Sequence, residues 1–114
     1  MNQSLVPHIN LWIERDSYVA VSGWRVTLLE AIAATGSITE AAQRMDVPYR
    51  VAWAKIHEME QALGVTLVES HAGGADGGGS QLTPAAEDLI RRYQHFSAGL
   101  EEIIQQRFVE AFAG

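Results

Sequence analysis

Apolar residues change period several times along the chain, and each change marks an element. Ile9, Leu11 and Ile13 alternate with Asn10, Trp12 and Glu14, and after Asp16-Ser17 the run "YVAV" resumes. A period of two broken by a turn pair predicts two short strands over residues 9 to 21. The period then lengthens. Trp24, Leu28 and Ile32 share one stripe of a helix from about Gly23 to Ala34, with Ser22 placed to cap its start and Gly36 its end.

The next stretch, "SITEAAQRM", opens on Ser37 and Glu40 at the spacing of a capping box, in which each residue satisfies the other's free amide at a helix start. That helix is short, and Ala41 and Ala42 are small enough to let another helix approach closely. It stops at Asp46-Val47-Pro48. A proline suits a first helical turn, so a new helix is expected from Pro48 to Leu63, ended by Gly64. A capped short helix, a tight turn and a longer helix make a helix-turn-helix.

At 100° per residue from Tyr49, Ala52, Ile56, Met59 and Leu63 cluster between about 280° and 340°, a core stripe. Trp53 falls near 40°, His57 near 80° and Arg50 near 100° on the same wheel. Two aromatics, an arginine and a histidine thus lie beside the core stripe in the N-terminal half, the half that enters the major groove in such motifs. Lys55 is expected to face either solvent or a DNA backbone.

After Gly64, "VTLVES" reads as a strand and "QLT" as its return, joined by "HAGGADGGGS". Five of the ten glycines lie between Gly73 and Gly79. No lysine follows the last glycine, so a phosphate loop is excluded, and the loop joins strands inside one small domain rather than two domains. A glycine-rich hairpin after a helix-turn-helix is a wing. Thr83 and Pro84 then supply a cap and a first-turn proline for one final helix, about residues 84 to 111. Leu89, Tyr93, Phe96, Leu100, Ile104, Phe108 and Phe112 recur along it at spacings of three and four. The fold class is therefore mainly α (α+β). It comprises a winged helix-turn-helix over 1–83 with an N-terminal β-hairpin, and a dimerisation helix over 84–114.

Composition changes little in this picture. At 114 residues the chain has room for one modest core, and the absence of cysteine removes disulfides and thiolate metal sites. No apolar run approaches a membrane span and "MNQSLVPHIN" lacks a signal peptide's pattern, so a cytoplasmic location is expected. The net charge of -6 opposes nucleic-acid binding, yet between Pro48 and His57 stand Arg50 and Lys55 with no acid. His8, His71 and His95 show no metal-ligand spacing, and no nucleophile–base pair supports an enzyme. No cofactor is expected.

The stretch "GSITEAAQRMDVPYRVAWAKIHEMEQALGVTLVES", followed by "GGADGGGSQLTPAAEDLI", resembles the N-terminal winged-helix domain of the molybdate-responsive ModE regulators. Through "MEQALGVTLVES" and "LTPAAE" it is similar, more distantly, to LysR-type regulators. The resemblance implies a homodimer that binds double-stranded DNA at a palindromic operator and regulates transcription. On its pattern Tyr49, Arg50 and Trp53 are DNA-facing, and Gly73, Gly74, Gly77, Gly78 and Gly79 form the wing. Pro48 stands where relatives carry a serine, and Asp76 where a basic wing residue is common. The molybdate-binding domains of full-length ModE regulators are missing, so no oxyanion site is expected, and a separate effector-sensing protein is one partner class.

Taken together, Ser37, Thr39, Pro48, Tyr49, Arg50, Trp53, Lys55, His57, Gly74, Gly77 and Gly78 are the candidate DNA-binding residues. Trp24, Leu28, Leu89, Tyr93, Phe96, Leu100, Ile104 and Phe108 are the candidate dimer contacts. A winged-helix interaction module that does not bind DNA is the alternative, suited by the acidic charge and Asp76.

Overall fold

The computed structural model describes residues 4–71 and 79–113. They form β1 (Trp12–Arg15), β2 (Tyr18–Ser22), α1 (Gly23–Thr35), α2 (Ile38–Arg44), α3 (Tyr49–Leu63), β3 (Val68–His71), β4 (Gly79–Leu82), α4 (Pro84–Ser97) and α5 (Leu100–Phe112). β1 pairs antiparallel with β2, and β3 with β4, as two separate two-stranded sheets.

Local chemistry sets these boundaries. The Ser22 hydroxyl accepts the Arg25 N–H at 3.2 Å and starts α1. Gly36 and Gly64 end α1 and α3 in the left-handed region, at φ 72° and 71°, where a side chain would be strained. The capping box is half formed. Ser37 Oγ accepts the Glu40 N–H at 3.1 Å, but the Ser37 N–H donates to Thr35 Oγ1 at 3.2 Å, so the Glu40 carboxylate is not needed there. Pro48 takes the N-cap position of α3, so the helix starts at Tyr49, one residue after the expected start, and Pro48 offers no side-chain cap.

Three helices meet in one apolar cluster of Leu28, Ile32, Ala41, Ala42, Ala52 and Ile56, where the alanines allow α2 and α3 to approach. A second cluster ties β2, α1, α3 and α4 together through Val21, Leu29, Met59, Leu67, Ala86 and Tyr93. Between α1 and α3 runs an ion pair, Arg25 to Glu58 at 2.7 Å, with side chains 8% and 31% exposed. The guanidinium also donates to the carbonyls of Val19 and Lys55, each at 3.4 Å. A charge this deeply buried is tolerated only with such partners.

Three further expectations need correction. β1 begins at Trp12, and Ile9 and Ile13 are exposed rather than turned inward, because β1 is the uncovered outer strand and burial falls on Ala20 and Val21 of β2. The final helix is two helices. Gly99 adopts φ 81° between α4 and α5, breaking the hydrogen-bond ladder although the apolar spacing runs through it unchanged. Finally, Leu28 is fully buried, and Tyr93 is 8% exposed with its hydroxyl donating to the Leu11 carbonyl at 2.9 Å. Both belong to the core of a single chain, so neither is free for a dimer contact. Burial also pushes the Tyr93 phenol above its ordinary pKa.

Candidate nucleic-acid interface

The interface candidate is assembled from α2, α3 and the root of the wing. α3 buries Ala52, Ile56, Met59 and Ala62, which fixes the opposite side outward. On that side Tyr49 is 49% and Trp53 45% exposed, and Arg50 and His57 are exposed as well. The imidazole of His57 stacks on the Trp53 indole with ring centroids 3.7 Å apart and planes at 24°. Its Nδ1 lies 3.0 Å from the Trp53 carbonyl oxygen, which can only accept, so Nδ1 carries the proton. The pair is therefore held to its own helix before any ligand arrives.

The wing root is built beside this face. β3 and β4 pair Val68 with Leu82, Glu69 with Gln81, Ser70 with Ser80 and His71 with Gly79. The Ser80 N–H donates to the Gly36 carbonyl at 2.8 Å, docking β4 on the end of α1. A Cβ on Gly79 would sit 3.0 Å from that same oxygen, tight enough that a side chain would have to push the two backbones apart. At the other end of the hairpin, Glu60 Oε2 accepts the N–H groups of Leu67 and Val68 at 2.8 and 3.3 Å. Thr83 Oγ1 donates to the Thr66 carbonyl at 2.7 Å while accepting the Ala86 N–H at 3.2 Å. The hairpin is thus anchored to α1, α3 and α4 by named bonds.

One cleft of about 240 Å³ gathers Ser37, Thr39 and Tyr49 with Ser70, His71, Gly79 and Ser80. A neighbouring cleft of about 350 Å³ gathers Tyr49, Trp53, His57 and Glu60 with Thr66, Val68 and Ser70. Ser37, Thr39, Tyr49, Trp53 and His57 therefore share one side with the wing root, and Arg50 and Pro48 are exposed next to them. Lys55 does not join them. It stands about 240° around the helix from Tyr49, on the side that meets Arg25, where its charge contributes to holding the Glu58 carboxyl below the usual carboxylate range. The main cause of that depression is the hydrogen bond from Arg25. Gly74, Asp76, Gly77 and Gly78 lie outside the described residues. Ser70 and Ser80 are not among the expected contacts, because Ser80 reads as part of the glycine loop; here they pair across β3 and β4 and share a hydrogen bond at 3.3 Å.

The candidate dimer contacts fall in a different region. Trp24 and Phe96 are exposed, Leu89, Leu100, Ile104 and Phe108 half-buried, and α5 has no buried residue. Residues 7–9 and α5 line an open cleft of about 840 Å³, with Pro7, Ile9, Ile104 and Val109 together with Glu101 and Glu102. Among the described residues no helix is long and apolar enough to cross a membrane, and no cluster of three or more potential metal ligands occurs.

A short helix crossed by a longer one with an aromatic outward face, followed by an anchored hairpin, defines a winged helix-turn-helix protein. The family model of the bacterial regulatory helix-turn-helix proteins of the lysR family matches residues 25–87, and the chain belongs to that family. Among curated proteins it is 41% identical over 80 residues to the molybdenum-pterin-binding protein MopB of Rhodobacter capsulatus, covering 70% of this chain and 30% of that one. It is 42% identical over 69 residues to the DNA-binding transcriptional dual regulator ModE of Escherichia coli (strain K12), covering 60% and 26%. The chain spans about three-tenths of the length of the curated relatives it matches. Among solved structures, the DNA-binding domain of CbnR in a DNA complex superposes with a TM-score of 0.59 at 21% identity, covering 76% of this chain and 94% of that one. Vibrio fischeri DarR in complex with DNA gives 0.63 at 18% identity, covering 82% and 30%. Those two likenesses concern the fold.

Proposed function

We propose that the protein is a sequence-specific transcription regulator that binds double-stranded DNA as a homodimer on a palindromic operator. The observation that carries this reading is the face of α3. It sets Tyr49, Arg50, Trp53 and His57 outward from a fixed helix, beside Ser37, Thr39 and an anchored wing root. The Escherichia coli relative, named as a DNA-binding regulator, supports it. In the proposed complex α3 enters the major groove, with Arg50 on a phosphate or a guanine edge, and the loop containing Gly74, Gly77 and Gly78 lies on the adjoining backbone. Pro48 at the N-cap brings no hydroxyl to that contact. The role is non-enzymatic and cytoplasmic, with no cofactor.

The homodimer rests on α5. A 13-residue helix with no buried residue is marginal in water by itself, and it exposes Ile103, Val109 and Phe112. Leu5, Val6 and Ile9 are exposed too, and Ile9 shares an open cleft with the same helix. We take residues 1–83 as the DNA-binding unit and 84–114 as the arm, with α4 fastening the arm to the core through Ala86 and Tyr93. An antiparallel pairing of two α5 helices centred on Ile104 sets Leu100 against Phe108 of the second copy and Arg107 against its Glu101. Apolar and charged positions are both self-complementary in that register, as a two-fold interface requires. Trp24 and Phe96 flank it. A mobility shift of genomic DNA fragments at two salt concentrations, with sedimentation of the free protein, tests both parts. Salt-dependent retardation by a dimer is expected, and absence of any retarded fragment at low salt would leave the interaction-module role.

A further inference from the structure

From Pro48 to His57 the outward chemistry of α3 is narrow. Its exposed side chains are Tyr49, Arg50, Trp53, Ala54 and His57 beside Pro48 itself. No Asn, Gln, Asp or Glu occurs in this stretch. Bidentate amide pairing with adenine and carboxylate pairing with the cytosine amino group are therefore both absent from it. One guanidinium remains for guanine or phosphate, together with two large aromatic surfaces one helical turn apart. The apolar feature that the major groove offers to such a surface is the thymine C5-methyl group.

The aromatic surfaces are also pre-set for contact. Trp53 is covered on one ring face by His57, whose Nδ1–H is tied to the Trp53 carbonyl oxygen. A ring fixed before binding loses little rotamer freedom on docking. Tyr49 borders both clefts between α3 and the wing root, so it stands at the end of α3 nearest the start of α2. One turn of helix rises 5.4 Å, so the two rings reach base pairs about one to two steps of 3.4 Å apart.

On the DNA-binding reading above, we propose that Tyr49 and Trp53 are specificity-determining residues that read thymine methyl groups on neighbouring base pairs of each half-site. Selection of duplexes from a random library with the full chain gives the site. Each thymine of the half-site is then replaced in turn by deoxyuridine, which removes the methyl group and nothing else. Affinity should fall about fourfold for each contacted methyl, the worth of one buried methyl-sized group. In Trp53→Ala the response to its own position should vanish, while Trp53→Phe should keep part of it; circular dichroism checks that both variants fold. If the enriched site binds equally well with deoxyuridine at every position, or if Trp53→Ala weakens all duplexes alike with the thymine response intact, the methyl readout is overturned while DNA binding stands. If selection enriches no duplex, the DNA-binding reading falls and takes this inference with it.

Discussion

Helices α3 and α5 both expose aromatic or large apolar side chains, but they rest on different supports. Behind Tyr49 and Trp53, α3 buries Ala52, Ile56, Met59 and Ala62 and shares an ion pair with α1. Behind Ile103, Val109 and Phe112 there is nothing buried at all. The same surface feature therefore means different things. An aromatic on a braced helix is a rigid probe, which suits recognition of a shaped ligand. An apolar stripe on an unbraced helix is half of a core, which requires its other half before the helix is stable.

The sharpest way to break that comparison is to charge the unbraced stripe. Leu100→Glu places a carboxylate in the proposed seam without a partner, and the dimer should weaken by about 3–5 kcal/mol. Sedimentation over a concentration series reads this directly. Next in size is the brace of α3. Arg25→Met strands Glu58, but that carboxylate keeps some solvent, so the loss should be smaller, about 2–3 kcal/mol by thermal or denaturant melting. The pair also carries a pH signature. Because Arg25 lowers the Glu58 pKa, its stabilisation is present above the ordinary carboxylate pKa and is lost as the pH falls through the depressed value. Melting from pH 7 to pH 3 should show this fall in the wild type, and Glu58→Gln should lack that component.

Arg50→Ala leaves both supports untouched and tests the face alone. Loss of a phosphate contact should lower the salt slope by about one for all sequences, whereas loss of a guanine contact should cost about 1–3 kcal/mol on the operator only. Binding titrations at two salt concentrations separate the two. The smallest change belongs to the joint between the regions. Gly99 sits at φ 81°, where an alanine pays about 1–2 kcal/mol of backbone strain, partly offset through the unfolded chain. Gly99→Ala should therefore destabilise by about 1 kcal/mol, measured by the same melts.

Periodicity made α1, α2 and α3 legible, because each buries one side and is closed by a cap or a glycine; the wing was legible from the glycine run between two short strand-like stretches. The Tyr49–Trp53 face was legible for the same reason: residues displaced from a clear core stripe have no core to enter. Two features were hidden. The break at Gly99 leaves the spacing from Phe96 to Leu100 unchanged, so the apolar pattern carries no trace of it. The Arg25–Glu58 pair joins residues 33 positions apart whose types alone give no reason to pair. Leu28 and Tyr93 show a further limit. Their stripes were real, but a stripe does not say whether the surface covering it belongs to the same chain, and here it does. Lys55 lies about 240° around α3 from Tyr49, away from the aromatic face, although it is close to Arg50 in the sequence.

The central claim is that α3 recognises and α5 pairs, each without the other's surface. It is tested most directly by titrating Trp53→Ala and Leu100→Glu against a full palindrome and against one isolated half-site, with the mass of each species recorded. Trp53→Ala should remain a dimer and lose affinity for both duplexes. Leu100→Glu should be a monomer that binds the half-site as the wild-type protomer does and loses only the gain from the second half. A monomeric Trp53→Ala, or a Leu100→Glu protein that cannot bind the half-site while still folded, would contradict the claim.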